Sequence, residues 1–208
     1  MIEIRDLGLI AYERAYELQR RYVEKVVVNR GQNYLLICEH PLVLTLGRLA
    51  DRKHIVCPEN RIEGSGISIV PVDRGGDVTL HAPGQLIAYP ILNLENFDKD
   101  LHQYLFRLEQ VGIDFLRLFD IVGVRVSGKT GVWIDGRKIM SIGVGVRKWV
   151  SYHGIGLNIN TDLALFQMIR PCGMDVVMTS LEHETGSGIY LDQAKEMFIR
   201  VFKEEFKV

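Results

Sequence analysis

Three stretches of the chain place apolar residues three or four positions apart, which is the spacing of an amphipathic helix. These stretches cover about residues 11–28, 99–119 and 191–206. Asp162 has the side chain of a helix N-cap, so a fourth, shorter helix is predicted to follow it through residue 169. Residues 182–188 are polar and are expected to form a turn. The pattern therefore predicts helices near both ends of the chain and one in its middle.

Between these helices the chain carries short apolar or alternating runs bounded by Gly, Pro and Asn, as β-strands do. The runs occupy residues 34–39, 42–46, 67–70, 78–80, 86–89, 122–126, 131–134, 139–146 and 154–159. Asp135-Gly136 is a strong signal for a hairpin turn. Residues 47–66 form a polar connection that is long for a loop, which favours a binding role or mobility. No repeat, linker or composition shift divides the chain, so residues 1–208 are predicted to form one α+β domain.

Composition removes several classes of function. The 208 residues are 47% hydrophobic and 25% charged with a net charge of −1, which is typical of a globular protein and does not favour nucleic acid binding. No apolar run is long enough for a membrane span, and residues 1–6 lack the basic start of a signal peptide. The cysteines Cys38, Cys57 and Cys172 have irregular spacing and no CxxC motif. We therefore expect a cytoplasmic protein with reduced thiols, no metal and no membrane partner.

Cys172 stands between Pro171 and Gly173, which favours a rigid loop over a packed strand. A thiol on such a loop is a candidate nucleophile, and the alternative is a small apolar residue in a turn. Cys38 is expected in the core and Cys57 at the surface. A nearby cation lowers the pKa of a thiol, and both histidine and lysine can supply that cation. Spacing alone does not choose among the candidates His40, His81, His153 and a lysine.

Residues 73–85 are the densest polar and glycine-rich segment of the chain. Gly75 and Gly76 would let the backbone approach a ligand closely, and Arg74, Thr79 and His81 lie beside them. The segment lacks the Gly-Lys-Ser/Thr ending of a P-loop and the GxGxxG of a dinucleotide fold. We favour a binding loop whose glycines form one wall of a pocket, and the alternative is a plain hairpin between two strands.

Four motifs follow one another along the chain. They are Arg74-Gly75-Gly76 with Thr79, His81 and Pro83-Gly84-Gln85; Lys138-Ile139 with Ser141-Ile142-Gly143; His153-Gly154 with Asn158; and Pro171-Cys172-Gly173. Each motif alone is weak, and Lys138 alone, beside a tight turn, is expected to be solvated. In this order and spacing, over nearly the full chain, the motifs resemble the octanoyltransferases of lipoate biosynthesis.

The resemblance implies a central mixed β-sheet flanked by helices, as in the lipoate and biotin protein ligases. It implies transfer of an octanoyl or lipoyl group from acyl carrier protein to a lysine of a lipoyl domain, with no cofactor. The lipoyl domains would be those of 2-oxoacid dehydrogenase E2 subunits and of the glycine cleavage H protein. Cys172 matches the family's nucleophile and Lys138 the lysine that activates it. The matching substrate-binding residues are Arg74, Gly75, Gly76, Asp77, Val78, Thr79, Leu80, His81, Ser141, Ile142, Gly143, Gly154, Ile155 and Gly156.

The chain departs from the family pattern at Leu80, Ala82 and Gly156, where an aromatic residue, a glycine and an alanine are commoner. These differences leave the acyl-length preference open. Three rival functions remain: a lipoate protein ligase that adenylates a free acid, a thiol hydrolase, and a non-catalytic binding module. The pairing of Cys172 with Lys138 argues against the first and the last. The basic residues Arg48, Arg52, Lys53, Arg147 and Lys148 are either docking charges for acidic partners or an ordinary solvated surface.

Overall fold

The computed structural model describes residues 2–58, 66–97, 99–171 and 175–208. Within these residues the strands are β1 (Ile2–Leu9), β2 (Asn33–Glu39), β3 (Val43–Leu46), β4 (Ser68–Pro71), β5 (Val78–His81), β6 (Gln85–Ile91), β7 (Val124–Val126), β8 (Lys129–Ile134), β9 (Arg137–Arg147) and β10 (Val150–Asn158). The α-helices are α1 (Tyr12–Val28), α2 (Leu101–Arg117), α3 (Leu181–Thr185) and α4 (Leu191–Phe206). Short 3₁₀ turns cover Arg52–His54, Leu94–Asn96 and Leu163–Met168. The α+β prediction is confirmed.

The strands form two sheets. The larger sheet has the order β1-β2-β6-β10-β9-β8-β7, and the smaller one has the order β4-β3-β5. In the larger sheet β1 and β2 are parallel, because α1 carries the chain back between them, and the other neighbours are antiparallel. The predicted central mixed sheet is therefore confirmed.

Alternate residues of β2 bury opposite faces of the larger sheet. Leu35 and Ile37 point into a core shared with α2 and α4, whereas Leu36 and Cys38 point into a core shared with α1. The first core is rich in aromatic side chains from the two helices: Tyr104, Phe115, Phe198, Phe202 and Phe206. The smaller sheet has a separate apolar core that includes Leu44 and Ile169. The molecule thus has helices on both faces of the larger sheet, with the smaller sheet alongside.

Local signals predicted several details correctly. Asp135 and Gly136 have φ of 46° and 80°, as the predicted two-residue hairpin turn requires. The Asp162 side chain accepts a hydrogen bond from the amide of Ala164 at 3.0 Å and caps the 3₁₀ turn that follows. Cys38 is fully buried, as expected.

Three expectations were wrong or incomplete. The predicted turn over residues 182–188 contains helix α3, because Ser180 caps its first turn and Gly186 ends it at φ 66°. Cys57 is half-buried against the core of the smaller sheet instead of exposed. Strand β1 was not predicted at all. In the part of the chain that the structure describes, no helix has the length and apolar character needed to cross a membrane.

Candidate active site

A pocket lies at the seam between the two sheets. Its walls come from the start of α1, from β5 and the segment before it, and from the adjoining strands β6, β9 and β10. The lining residues are Tyr12, Arg74, Thr79, His81, Tyr89, Ser141, Ile142, Gly143, His153, Gly154, Ile155 and Gly156. Nine of these belong to the predicted substrate-binding set: Arg74, Thr79, His81, Ser141, Ile142, Gly143, Gly154, Ile155 and Gly156. Three segments that are far apart in sequence therefore meet at one pocket.

Arg74 supplies a buried positive charge to this pocket. Its Nη2 donates hydrogen bonds to the carbonyl and the hydroxyl of Thr45 at 2.9 and 2.8 Å, and its Nη1 donates to the Gly75 carbonyl at 2.9 Å. No carboxylate of the described residues forms an ion pair with this guanidinium. Burial lowers the pKa of Arg74, because the charged form loses its hydration there. The pocket therefore favours a polar or anionic group beside Arg74.

The two sheets touch through backbone at this seam. The amide of Gly75 donates to the Val144 carbonyl on β9 at 2.8 Å. A Cβ atom at Gly143 would lie 3.0 Å from both the Arg74 Cδ and the Gly75 carbonyl oxygen, so a side chain there would displace these neighbours slightly. The close approach of β9 to the Arg74-Gly75 segment therefore favours glycine at position 143.

A chain of hydrogen bonds runs from the pocket to Thr179, in the segment that pairs with Lys138. His81 Nδ1 is 2.7 Å from the Gln85 Oε1, and the Gln85 amide donates to the Asn158 Oδ1 at 2.8 Å. The Asn158 amide in turn donates to the carbonyl of Thr179 at 2.9 Å. Burial, with His40 nearby, lowers the pKa of His81 to about 3, so His81 is neutral and donates from Nδ1.

The histidines near the pocket have fixed partners. His40 uses both ring nitrogens, with Nδ1 2.7 Å from the Ile10 carbonyl and Nε2 2.7 Å from the Tyr89 hydroxyl. His153 Nε2 lies 2.9 Å from an Asp73 oxygen, and its Nδ1 lies 3.3 Å from the Tyr12 hydroxyl. These contacts fix the His153 ring in the pocket wall and the His40 ring next to the lining residues Tyr12 and His81.

Lys138 is the second residue of β9 and is held by the chain that precedes α3. Its amide donates to the Val177 carbonyl at 2.8 Å, and its carbonyl accepts from the Thr179 amide at 2.9 Å. The ammonium nitrogen lies 5.3 Å from the centre of the Trp133 ring, within the range of a cation–π contact. Lys138 is half-buried, which corrects the expectation of a solvated lysine.

Gly131 on β8 provides the space for this lysine. Its φ is +128°, and a Cβ atom there would lie 2.7 Å from the Lys138 Cε and 2.4 Å from the Met140 carbonyl oxygen. A side chain at position 131 would therefore displace Lys138.

Cys172 lies outside the described residues, so its predicted role as nucleophile stays a prediction. The described chain is anchored on both sides of it. The amide of Arg170 donates to the His54 carbonyl at 2.7 Å. On the other side, Met178 forms a parallel β-bridge with Lys138.

The remaining predicted substrate residues have backbone or packing positions. Gly75 and Gly76 are not among the lining residues, and their place in acyl binding stays a prediction. Asp77 is buried, with its Oδ2 2.5 Å from His54 Nδ1. Val78 and Leu80 point into the core of the smaller sheet.

Sequence reasoning missed three lining residues, Tyr12, Tyr89 and His153, as members of the site. Tyr12 was recognisable only as part of the apolar spacing of the first helix, and Tyr89 only as part of a predicted strand. His153 was visible as part of a motif and as a candidate base, but nothing in the sequence placed it on the pocket wall.

Comparison with known protein families gives one family match: the model of the lipoyl protein ligase A/B catalytic domain matches residues 11–203. The octanoyltransferase of Geobacter sulfurreducens is 45% identical over 195 residues, which is 93% of this chain and 80% of that protein. The octanoyltransferase of Solibacter usitatus is 41% identical over 203 residues, covering 98% of this chain and 92% of the relative.

Solved structures show the same fold at low identity. A bipartite lipoate protein ligase from Thermoplasma acidophilum has a TM-score of 0.73 and 15% identity, covering all of this chain and 85% of its own. The biotin protein ligase of Aquifex aeolicus has a TM-score of 0.56 and 14% identity, covering all of this chain and 69% of its own.

Proposed function

Because this chain belongs to the octanoyltransferases of the lipoyl protein ligase A/B catalytic family, we propose that it takes the octanoyl group from an acyl carrier protein thioester and carries it on Cys172. The chain is an acyltransferase that acts in protein lipoylation. The proposed acceptors are lysines of lipoyl domains, those of 2-oxoacid dehydrogenase E2 subunits and the glycine cleavage H protein.

The observation that carries the proposal is the strand shared by Lys138 and the pocket. Ser141, Ile142 and Gly143 line the pocket three to five residues along β9 from Lys138. The chain that follows Cys172 pairs with Lys138 through Val177 and Thr179. This arrangement supports a reaction centre near Lys138, next to the pocket wall that β9 supplies.

The first step exchanges one thioester for another. The Cys172 thiolate attacks the octanoyl carbonyl carbon, a new carbon–sulfur bond forms, and the bond to the carrier's sulfur breaks. The carrier leaves as a thiol with the proton that Cys172 gave up. The Lys138 ammonium would stabilise the thiolate before attack. The Gly75 amide is already bonded to Val144, so the oxyanion needs another donor, such as an amide beside Cys172.

The second step forms an amide and is the downhill one. The amine of the acceptor lysine attacks the acyl-enzyme carbonyl, a carbon–nitrogen bond forms, and the bond to the Cys172 sulfur breaks. The amine loses a proton, which Lys138 accepts if it acts as the base, or which the departing thiolate accepts directly.

The predicted docking charges have different surroundings. Arg147 forms an ion pair with Glu24, and the Lys53 ammonium lies 4.0 Å from an Asp51 oxygen. We propose that Arg147, together with Arg20, contacts an acidic partner at a groove on the α1 side of the molecule, in place of its ion pair with Glu24.

Intact mass spectrometry tests the proposal directly. After mixing with octanoyl-acyl carrier protein, the wild type is expected to gain the mass of one octanoyl group and to lose it when a lipoyl domain is added. Cys172→Ala is expected to gain nothing, whereas the matched variant Cys57→Ala should behave as the wild type. A gain that requires free octanoic acid and ATP would instead identify a ligase, and rapid loss of the acyl group to water would identify a hydrolase.

A further inference from the structure

The Asp73 carboxylate is the centre of a hydrogen-bonded cluster beside the pocket. Its Oδ1 accepts from the Tyr16 hydroxyl at 2.8 Å and lies 2.9 Å from His153 Nε2. Its Oδ2 accepts from the Tyr152 hydroxyl at 2.8 Å. A carboxylate only accepts hydrogen bonds, so His153 donates its Nε2 proton. The hydrogen bond from His153, with those from the tyrosines, holds the pKa of Asp73 well below its usual range although the side chain is half-exposed.

These bonds connect three segments of the pocket. Asp73 immediately precedes Arg74, at the head of the first predicted substrate segment. His153 immediately precedes Gly154, at the head of the third. Tyr16 lies one helical turn from Tyr12, which lines the pocket from α1. A single carboxylate therefore ties two substrate segments to each other and to the helix.

The tautomer of His153 also fixes Tyr12. With its proton on Nε2, the neutral ring leaves Nδ1 to accept from the Tyr12 hydroxyl at 3.3 Å. The Tyr12 ring stacks on His81, with centroids 6.0 Å apart. The bond to His153 thus sets the plane of one aromatic wall of the pocket.

The backbone at His153 is held in an uncommon conformation. Its φ is +55°, and its amide donates to the buried Gln19 Oε1 at 2.7 Å. Asparagine tolerates this φ better than most residues. Because this backbone conformation is strained, the contacts around His153 must maintain it.

We propose that Asp73 and His153 are positioning residues that hold the octanoyl-binding wall, with Asp73 joining the two substrate segments and His153 orienting Tyr12. The inference rests on the proposed function. Neither residue takes part in the chemistry at Cys172; they act through Tyr12, Arg74 and Gly154. The thiol is therefore expected to react normally in their absence, while recognition of a long acyl chain suffers.

The test compares Asp73→Asn with Asp114→Asn, a matched change at a surface aspartate of α2 that binds Arg117. Loss of the charged acceptor is expected to raise the KM for octanoyl-acyl carrier protein about tenfold with little change in kcat. The KM for the acetyl thioester and the rate of Cys172 alkylation by iodoacetamide should stay near the wild-type values. Asp114→Asn should change none of these.

Two substitutions at position 153 separate the two bonds. The side-chain amide of glutamine extends as far as His153 Nε2 and can still donate to Asp73, but it places no acceptor near the Tyr12 hydroxyl. The shorter asparagine places its side-chain oxygen near the position of Nδ1 and can accept from Tyr12, but it does not reach Asp73. His153→Gln should raise the octanoyl KM as Tyr12→Phe does, and the double variant should be no worse than either single one. In ¹⁵N-histidine NMR spectra, the resonance lost in His153→Gln should have the shift of an Nε2-protonated ring.

The outcomes are distinguishable. A wild type that acquires no octanoyl group contradicts the proposed function itself. A wild type that acquires it, while Asp73→Asn leaves the octanoyl KM unchanged or impairs both acyl lengths and alkylation alike, overturns this inference alone. If Asp73→Asn does not fold, Tyr16→Phe removes one bond only and should still raise the octanoyl KM selectively; an unchanged KM there also overturns it.

Discussion

Replacing Gly131 by alanine tests how tightly Lys138 is held. At φ +128° an alanine is strained, which costs about 1–3 kcal/mol. The new Cβ would also lie 2.4 Å from the Met140 carbonyl oxygen, a backbone atom that cannot rotate away. Overpacking of this kind costs about 1–3 kcal/mol more. We therefore expect a loss of about 2–6 kcal/mol in the free energy of unfolding.

Gly128 offers a matched control on the same β-hairpin. Its φ is +74°, and a Cβ there meets nothing within 4 Å, so Gly128→Ala carries the backbone strain without the collision. We expect a cost of about 1 kcal/mol for this variant. For a protein of this size, each kcal/mol lowers the Tm by about 2–4 °C.

The assays are urea unfolding and the rate of acyl-enzyme formation at a temperature where both variants are folded. Gly131→Ala should lose acyl transfer because the Cβ also lies 2.7 Å from the Lys138 Cε and displaces it, whereas Gly128→Ala should keep the wild-type rate. Equal stability and equal rates in the two variants would refute the argument that position 131 must be empty to seat Lys138.

Four further outcomes are expected. Lys138→Arg keeps the charge but cannot release a proton, so iodoacetamide alkylation should stay fast while transfer to the lipoyl domain slows; normal rates in both half-reactions would remove Lys138 from the mechanism. Gly156→Ala adds a methyl group to the pocket lining 3.1 Å from the Gln85 Oε1 and introduces the residue that is commoner in the family, so octanoyl thioesters should still be accepted while decanoyl thioesters lose about fourfold relative to octanoyl, measured from acyl-enzyme rates, with no shift counting against this wall. Gly76 has φ +82° and is not one of the pocket-lining residues, so Gly76→Val should slow acyl-enzyme formation equally for thioesters of all chain lengths. A loss confined to the longer acyl chains would instead support the predicted place of Gly76 in the pocket wall. The pKa of His81 is lowered to about 3, so the unfolded chain binds its proton first and stability should fall as pH drops from about 6.5 toward 3; urea unfolding of His81→Asn should show a shallower fall, and an identical slope would contradict the assignment.

The parts of the fold that sequence predicted are those with local signals. The apolar spacing of α1, α2 and α4 and the Asp135-Gly136 turn are each complete within a few residues. Strand β1 was missed because its mixed polar pattern includes Arg5 and Asp6, and its pairing with β2 is a tertiary event. Local propensity does not record such pairings.

The candidate site divides in the same way. The motif residues Arg74, His81 and Gly154 were found because they lie in recognisable short patterns. The partners of Asp73 were not, because Tyr16 and Tyr152 are 57 and 79 residues away in sequence and each carries the signal of an ordinary amphipathic position. The preference for glycine at position 143 likewise depends on the close approach of the Arg74-Gly75 segment, which the sequence does not show.

The seam between the two sheets has a consequence for how the protein folds. In the larger sheet β2 pairs with β6, and β6 with β10, so strands distant in sequence must close long loops before they gain contacts. Topologies of this kind fold slowly. The smaller sheet has its own core, and the pocket exists only where its Arg74-Gly75 segment meets β9. The pocket is therefore complete only once the smaller sheet has docked on β9, whichever sheet forms first.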